Sequence, residues 1–171
     1  MRKAQYPTGR WRNLVFSPTI LLVVAADQLA KVWIRSILAL GESIPPKGFF
    51  RLTHIQNTGA TFGLFRDQTF ALIIGASVGI VLLLACAFLA YRWFPVLNSK
   101  LGMLALGLIL GGTIGNLIDR LRFGYVTDFI DLGIWPTFNL ADSSVVIGVI
   151  MLAYCLLFLA PAGKRSNGQS A

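Results

Sequence analysis

Asp128 and Asp142 are the residues whose type and context best suit them to chemistry. They lie in VTDFID (126–131) and FNLADSSVVIG (138–148), and neither has a basic residue within four positions on either side. A charge near the bilayer centre costs about 2.5–3.5 kcal/mol on insertion scales, so an acid beside an apolar run needs a reason. Only seven acids occur in 171 residues: Asp27, Glu42, Asp67, Asp119, Asp128, Asp131 and Asp142. Of the four at or within ends of apolar runs, Asp27 has Lys31 four residues on and Asp119 adjoins Arg120, while Asp128 and Asp142 have no local cation. Two such carboxyls at one level can share a proton. The charged member acts as general base for water; the protonated one polarises a scissile carbonyl and then protonates the departing amine. A helix N-terminus would favour charge on Asp142, but a coupled pair titrates as a unit, which leaves the protonated member open. A plainer role for Asp142 is to cap its helix. Asp131 competes with Asp128 as partner, but it lies deeper in the loop and is more easily solvated.

The elements that must position these groups are membrane helices. The chain is 56% hydrophobic and 13% charged, against about 25% charged residues in soluble domains. Four apolar runs, about 14–40, 69–91, 101–118 and 143–160, reach the roughly 17–25 residues a helix needs to cross a bilayer. The expected fold is an all-α membrane protein: a single domain over 1–171, built as a four-transmembrane-helix bundle with a small extracytoplasmic β-rich unit. The net charge of +8 follows the same plan. Arg2, Lys3, Arg10, Arg12, Arg92, Lys100, Lys164 and Arg165 fall on one side, which the positive-inside rule makes cytoplasmic, with both termini. The other seven basic residues and all seven acids fall toward the outer side and cancel. The charge is therefore a topology signal and not a nucleic-acid footprint.

Within this frame Asp27 and Lys31, four apart with the acid first, are set for an ion pair on one face of the first helix. That helix is expected to start near Pro18. Val24-Ala25-Ala26 resembles a signal cleavage site, but apolar character resumes in VWIRSILAL, as a continuing span requires. Residues 41–66 form the outer unit: Pro45-Pro46 and Gly48 break helix, FFRLTHIQ suits short strands, and NTG suits a turn. His54 is the sole histidine and reads as a surface or strand residue. Gly107, Gly111 and Gly115 recur at the spacing that lets helices approach closely in lipid. Cys86 and Cys155 lie inside apolar runs and receive no disulfide, metal or nucleophilic role. From about residue 163 the chain reads as a disordered tail. Competing readings are an ion-coupled transporter and a serine peptidase using Lys31 with Ser143 or Ser144; the transporter is disfavoured because the acids gather at one face and no inverted repeat is evident.

DQLAK (27–31), NTGATFG (57–63), GGTIGNLIDR (111–120), VTDF (126–129) and FNLAD (138–142) stand in an order that resembles the lipoprotein signal peptidases, or signal peptidase II. The resemblance covers nearly the whole chain. It implies a bacterial inner-membrane aspartic peptidase that removes signal peptides from prolipoproteins after diacylglyceryl modification of a cysteine. On that resemblance Asp128 and Asp142 match the catalytic pair. Asn57, Asn116, Arg120 and Asn139 match polar residues that hold substrate or orient the aspartates, and Asp27 and Lys31 match a supporting pair. Gly59 and Gly112 match positions of close backbone approach. It implies no metal or organic cofactor; the partners would be diacylated prolipoproteins, membrane lipid and the cyclic peptide inhibitor globomycin, at a site on the outer face.

Overall fold

The computed structural model describes residues 10–59, 69–93, 97 and 99–159, and for 10–13, 69 and 86–93 the backbone alone. The expected tail, residues 60–66 of the outer unit, and the charges at Arg2, Lys3, Lys164 and Arg165 lie outside the described residues. The elements are α1 (Arg10–Ile37), β1 (Ser43–Ile44), β2 (Arg51–Asn57), α2 (Thr69–Trp93), α3 (Lys100–Phe123), β3 (Val126–Asp131) and α4 (Leu140–Tyr154). A π-helical segment, Cys155–Leu159, extends α4.

Among the described residues three helices are long and apolar enough to cross a membrane: Leu14–Ile37, Lys100–Phe123 and Leu140–Leu159. The second apolar run also forms a helix, α2, of 25 residues. Two boundaries differ from expectation. Pro18 lies inside α1, which begins at Arg10; prolines are more frequent in membrane helices than in soluble ones, because neighbouring groups can satisfy the freed backbone. At its other end α1 stops at Ile37 and not Leu40, as the chain turns through Gly41 at φ +82° toward the sheet.

α3 is the centre of the bundle, packed against α4, α1 and α2. Ser99 caps its start by accepting from the Gly102 N–H, and Gly124 ends it in the left-handed conformation with its N–H on the Arg120 carbonyl. Its glycine stripe explains the packing. A Cβ at Gly111 would come 2.8 Å from the Val23 Cβ, and one at Gly107 2.9 Å from the Thr19 Cβ, so larger residues would force α1 away. Gly112, one position round the helix, faces the Ala141 carbonyl of α4 in the same way. Without a hydrophobic driving force between helices in lipid, such close backbone contact is a main source of association.

Beyond the Ile37 end of α1 and the Phe123 end of α3 lies an antiparallel three-stranded sheet in the order β1-β2-β3. Its register pairs Ile55 with Asp128 and Asn57 with Val126, with an irregularity between Leu52 and Ile55. His54 is buried in β2 with Nδ1 3.0 Å from the Leu38 carbonyl, which ties the sheet to the end of α1. Ile34, Leu38 and Phe129 form the apolar cluster between helix and sheet.

Candidate active site

The site is built on a buried charge network between α1 and α3. Lys31 Nζ lies 2.8 Å from Asp27 Oδ2 and 3.4 Å from Asp119 Oδ2, with all three side chains fully buried. The expected i,i+4 pair is therefore present, and Asp119 joins it. Asp119 turns toward α1 and the sheet: it also lies 3.9 Å from Arg35 Nη1 and accepts the Thr127 N–H at 3.0 Å. Arg120, its neighbour in sequence, is within electrostatic reach of it, but the direct contacts come from α1 and β3, because consecutive helical residues point about 100° apart. Gln28 completes the network by donating to Asp119 Oδ1, Asp27 Oδ2 and the Gly115 carbonyl.

This network reaches α4 by two routes. Asp27 Oδ1 accepts the Ala141 N–H at 3.0 Å, satisfying a backbone donor in the first turn of α4. Lys31 also donates to Asn116 Oδ1 at 2.8 Å, which turns the Asn116 amide so that its Nδ2 donates to Asp142 Oδ1 at 2.8 Å. The buried ammonium thus fixes which end of an amide faces Asp142.

Asn139 joins the two candidate carboxyls. Its Nδ2 donates to Asp128 Oδ1 at 2.7 Å, while its backbone N–H donates to Asp142 Oδ2 at 3.2 Å. Its Oδ1 accepts the Asp142 N–H at 2.9 Å, so Asn139 is the cap of α4 and Asp142 the reciprocal member of a capping box. Capping is therefore part of what Asp142 does, but the cap position itself belongs to Asn139. Asp142 Oδ1 remains turned toward Asn116. Asp128 Oδ2 accepts from Asn57 Nδ2 at 2.9 Å. Burial first, then the charge of Asp142, push the Asp128 carboxyl from the ordinary 3.8 up to about 7, against the Asn57 and Asn139 donors, which favour its charge.

The remaining sequence candidates surround the pair. Asn57 Oδ1 accepts the Gly59 N–H at 2.9 Å, the turn expected of NTG, and Arg120 Nη2 donates to the Gly59 carbonyl at 3.2 Å. Arg120 is also within electrostatic reach of both Asp142 and Asp128. Gly112 lets α4 lie against α3 just where Ala141 precedes Asp142. All ten sequence-derived positions are thus gathered at one end of the bundle. Asp131 is a correction: it is buried on the sheet and not a solvated loop acid, 2.6 Å from Arg51 Nη2. Burial would raise its pKa, but the Gly133 N–H and Arg51 outweigh that and hold it below the usual value. Lys31 is occupied by Asp27, Asp119 and Asn116, and the Ser143 and Ser144 hydroxyls donate to the Asn139 and Leu140 carbonyls, an arrangement unsuited to a Lys–Ser pair.

Sequence reasoning missed Thr127 and Gln28. Thr127 is fully buried, its Oγ1 accepting from Arg35 at 2.8 Å and its backbone N–H held by Asp119. It thereby positions β3 just before Asp128. An amide beside a buried acid was the available signal for Gln28; Thr127 offered only its place next to Asp128. The carboxyl pair opens onto a cavity of about 1050 Å³ between β2, α2, α3 and α4, with Trp135 and Phe138 on its rim.

A helical membrane bundle that brings two carboxyls under a small three-stranded sheet defines the class to which the molecule belongs. Residues 19–158 match the family model described as signal peptidase (SPase) II, and the chain belongs to that peptidase family. It is 47% identical over 160 residues to the lipoprotein signal peptidase of Dehalococcoides mccartyi, covering 94% of this chain and 97% of that one. The lipoprotein signal peptidase of Moorella thermoacetica is 51% identical over 148 residues, 86% of this chain and 94% of the relative. Among solved structures, a bacterial membrane enzyme determined by the in meso method at 2.3 Å resolution is similar, with 30% identity, a TM-score of 0.71 and 90% coverage of each chain.

Proposed function

We propose that this chain is an aspartic endopeptidase that removes signal peptides from diacylglyceryl-modified prolipoproteins, cutting before the lipidated cysteine. The observation that carries the reading is the bridge made by Asn139 between Asp128 and Asp142 at the wall of the cavity. Asp128 holds the proton near neutral pH, in keeping with its raised pKa. Asp142, in the first turn of α4, serves as the general base of the pair. Asp142 takes a proton from water as the oxygen attacks the scissile carbonyl, and Asp128 donates a hydrogen bond to that carbonyl. The leaving amine is then protonated by the pair. Asn57, Asn116, Arg120 and Asn139 orient the carboxyls and hold substrate, and the Asp27–Lys31 pair keeps Asn116 in register.

In this reading the chain lies in the bacterial inner membrane with α1 to α4 as four spans, termini cytoplasmic and the sheet outside. A lipid-anchored cysteine stays at the membrane surface, the depth of a carboxyl pair at the outer end of α3 and α4. Globomycin is expected to occupy the same cavity; no cofactor and no nucleic acid enter the scheme. The test uses purified protein with diacylated and unlipidated forms of one precursor, with and without globomycin. Cleavage of the lipidated form alone, blocked by the inhibitor, is the expected result; equal cleavage of both forms, or none, contradicts the reading.

A further inference from the structure

A second cavity, of about 370 Å³, lies in the cleft between α1 and α4. Its walls include Leu22, Ala26, Leu140 and Ser144, and none of its seven lining residues is charged. Both serine hydroxyls that reach it donate to carbonyls of their own helix, so they offer little to a polar guest. Leu22 is 70% exposed and Ile147 51%, which opens the groove sideways to where lipid would be. A polar head finds only two hydroxyl oxygens whose hydrogens are already used, whereas an acyl chain finds apolar walls.

The groove is also connected to the candidate active site. Ser143 and Ile147, one helical turn apart on α4, line both cavities. They form a ridge with the α1–α4 groove on one side and, on the other, the apolar wall of the larger cavity, including Val145, Val146 and Ala76. A ridge with an apolar trough on either side suits a forked ligand. We propose that the α1–α4 groove is an acyl-chain subsite, and that the two chains of the diacylglyceryl group straddle the Ser143–Ile147 ridge, one in each trough. This rests on the lipoprotein signal peptidase reading and adds where the lipid lies. The ridge begins one residue after Asp142, so a forked lipid seated on it holds the adjoining peptide bond at the carboxyl pair.

The test compares Ala26→Phe and Ser144→Phe, which fill the groove from opposite walls, with the unsubstituted protein. Each is assayed on one precursor carrying either two long acyl chains or a single chain. For the two-chain precursor KM rises about tenfold with kcat unchanged, the loss of burial of about two methylene groups. The single-chain precursor is cleaved with unchanged KM, since it can use the other trough, and this shows the variants to be folded. An unchanged KM for the two-chain precursor, or equal losses on both precursors in both variants, overturns the proposal. In the unsubstituted protein, a photoreactive group on the acyl chains should label α1 as well as α4; labelling that spares α1 also overturns it. Failure of the unsubstituted protein to cleave any lipidated precursor would instead sink the peptidase reading beneath it.

Discussion

Asn139 does two jobs that can be separated by substitution. It is fully buried; its Oδ1 caps α4 through the Asp142 N–H, and its Nδ2 donates to Asp128 at 2.7 Å. Asn139→Ser keeps a capping oxygen of equal rank and removes the amide that reaches Asp128, whereas Asn139→Ala removes both. A hydrogen bond to a charged group contributes about 1.5–3 kcal/mol, so losing it where charge develops lowers cleavage by about 10- to 200-fold. Both variants should show that loss in kcat/KM on a diacylated precursor. Stability should distinguish them: the lost cap costs Asn139→Ala about 1 kcal/mol more, or about 2–4 °C in thermal midpoint for a chain of this size. Initial cleavage rates and thermal melts in one detergent provide the two readouts. An Asn139→Ser variant with the activity of the unsubstituted protein would reduce Asn139 to a helix cap with no part in cleavage.

Other expectations follow from the same contacts. A Cβ at Gly112 would come 2.8 Å from Val145 Cγ2 and against the Ala141 carbonyl; restoring normal contact moves α4 by about 1 Å, and Gly112→Ala should lower kcat/KM about 100-fold. Gly107→Ala, remote from the pair, should lower the melting temperature with much less effect on rate. With Asp128 as proton donor, kcat/KM should fall as pH rises through about 7, and a rate flat to pH 9 would contradict that role. The same raised pKa means the folded state holds this proton more tightly than the unfolded chain. Its contribution to stability is full below 3.8 and is lost as pH rises toward about 7, so Asp128→Asn should flatten that part of a melt-versus-pH curve. Lys31→Met leaves Asp27 buried without its cation and Asp119 with only Arg35, 3.9 Å away, and should destabilise the fold by about 3–5 kcal/mol, measured by melting and by yield.

Legibility in the sequence followed contact range. The Asp27–Lys31 pair was visible because helix geometry alone brings residues four apart together. The glycine stripe was visible because small residues at that spacing have a physical use in lipid. Sequence adjacency gave Asp119 only Arg120 as a neighbour; its closer partners lie on α1 and β3, and no local rule connects them. Asp131 was misjudged for the same reason: Arg51 reaches it across the β2–β3 pairing, whose irregular register the sequence does not reveal. The positioning roles of Asn116 and Asn139 came from resemblance. Their donors and acceptors were settled only when α1, α3 and α4 were brought together. The start of α1 was misplaced because a rule for soluble helices was applied to Pro18 in a membrane helix.

The proposed mechanism has Asp128 and Asp142 acting as a pair without Asp131. Cleavage of a diacylated precursor by Asp128→Asn, Asp142→Asn and Asp131→Asn, each shown by melting to be folded, tests it most directly. The first two should show no detectable cleavage, and the third should retain most of the activity. Full activity in either of the first two, or an inactive Asp131→Asn beside an active Asp128→Asn, would contradict it.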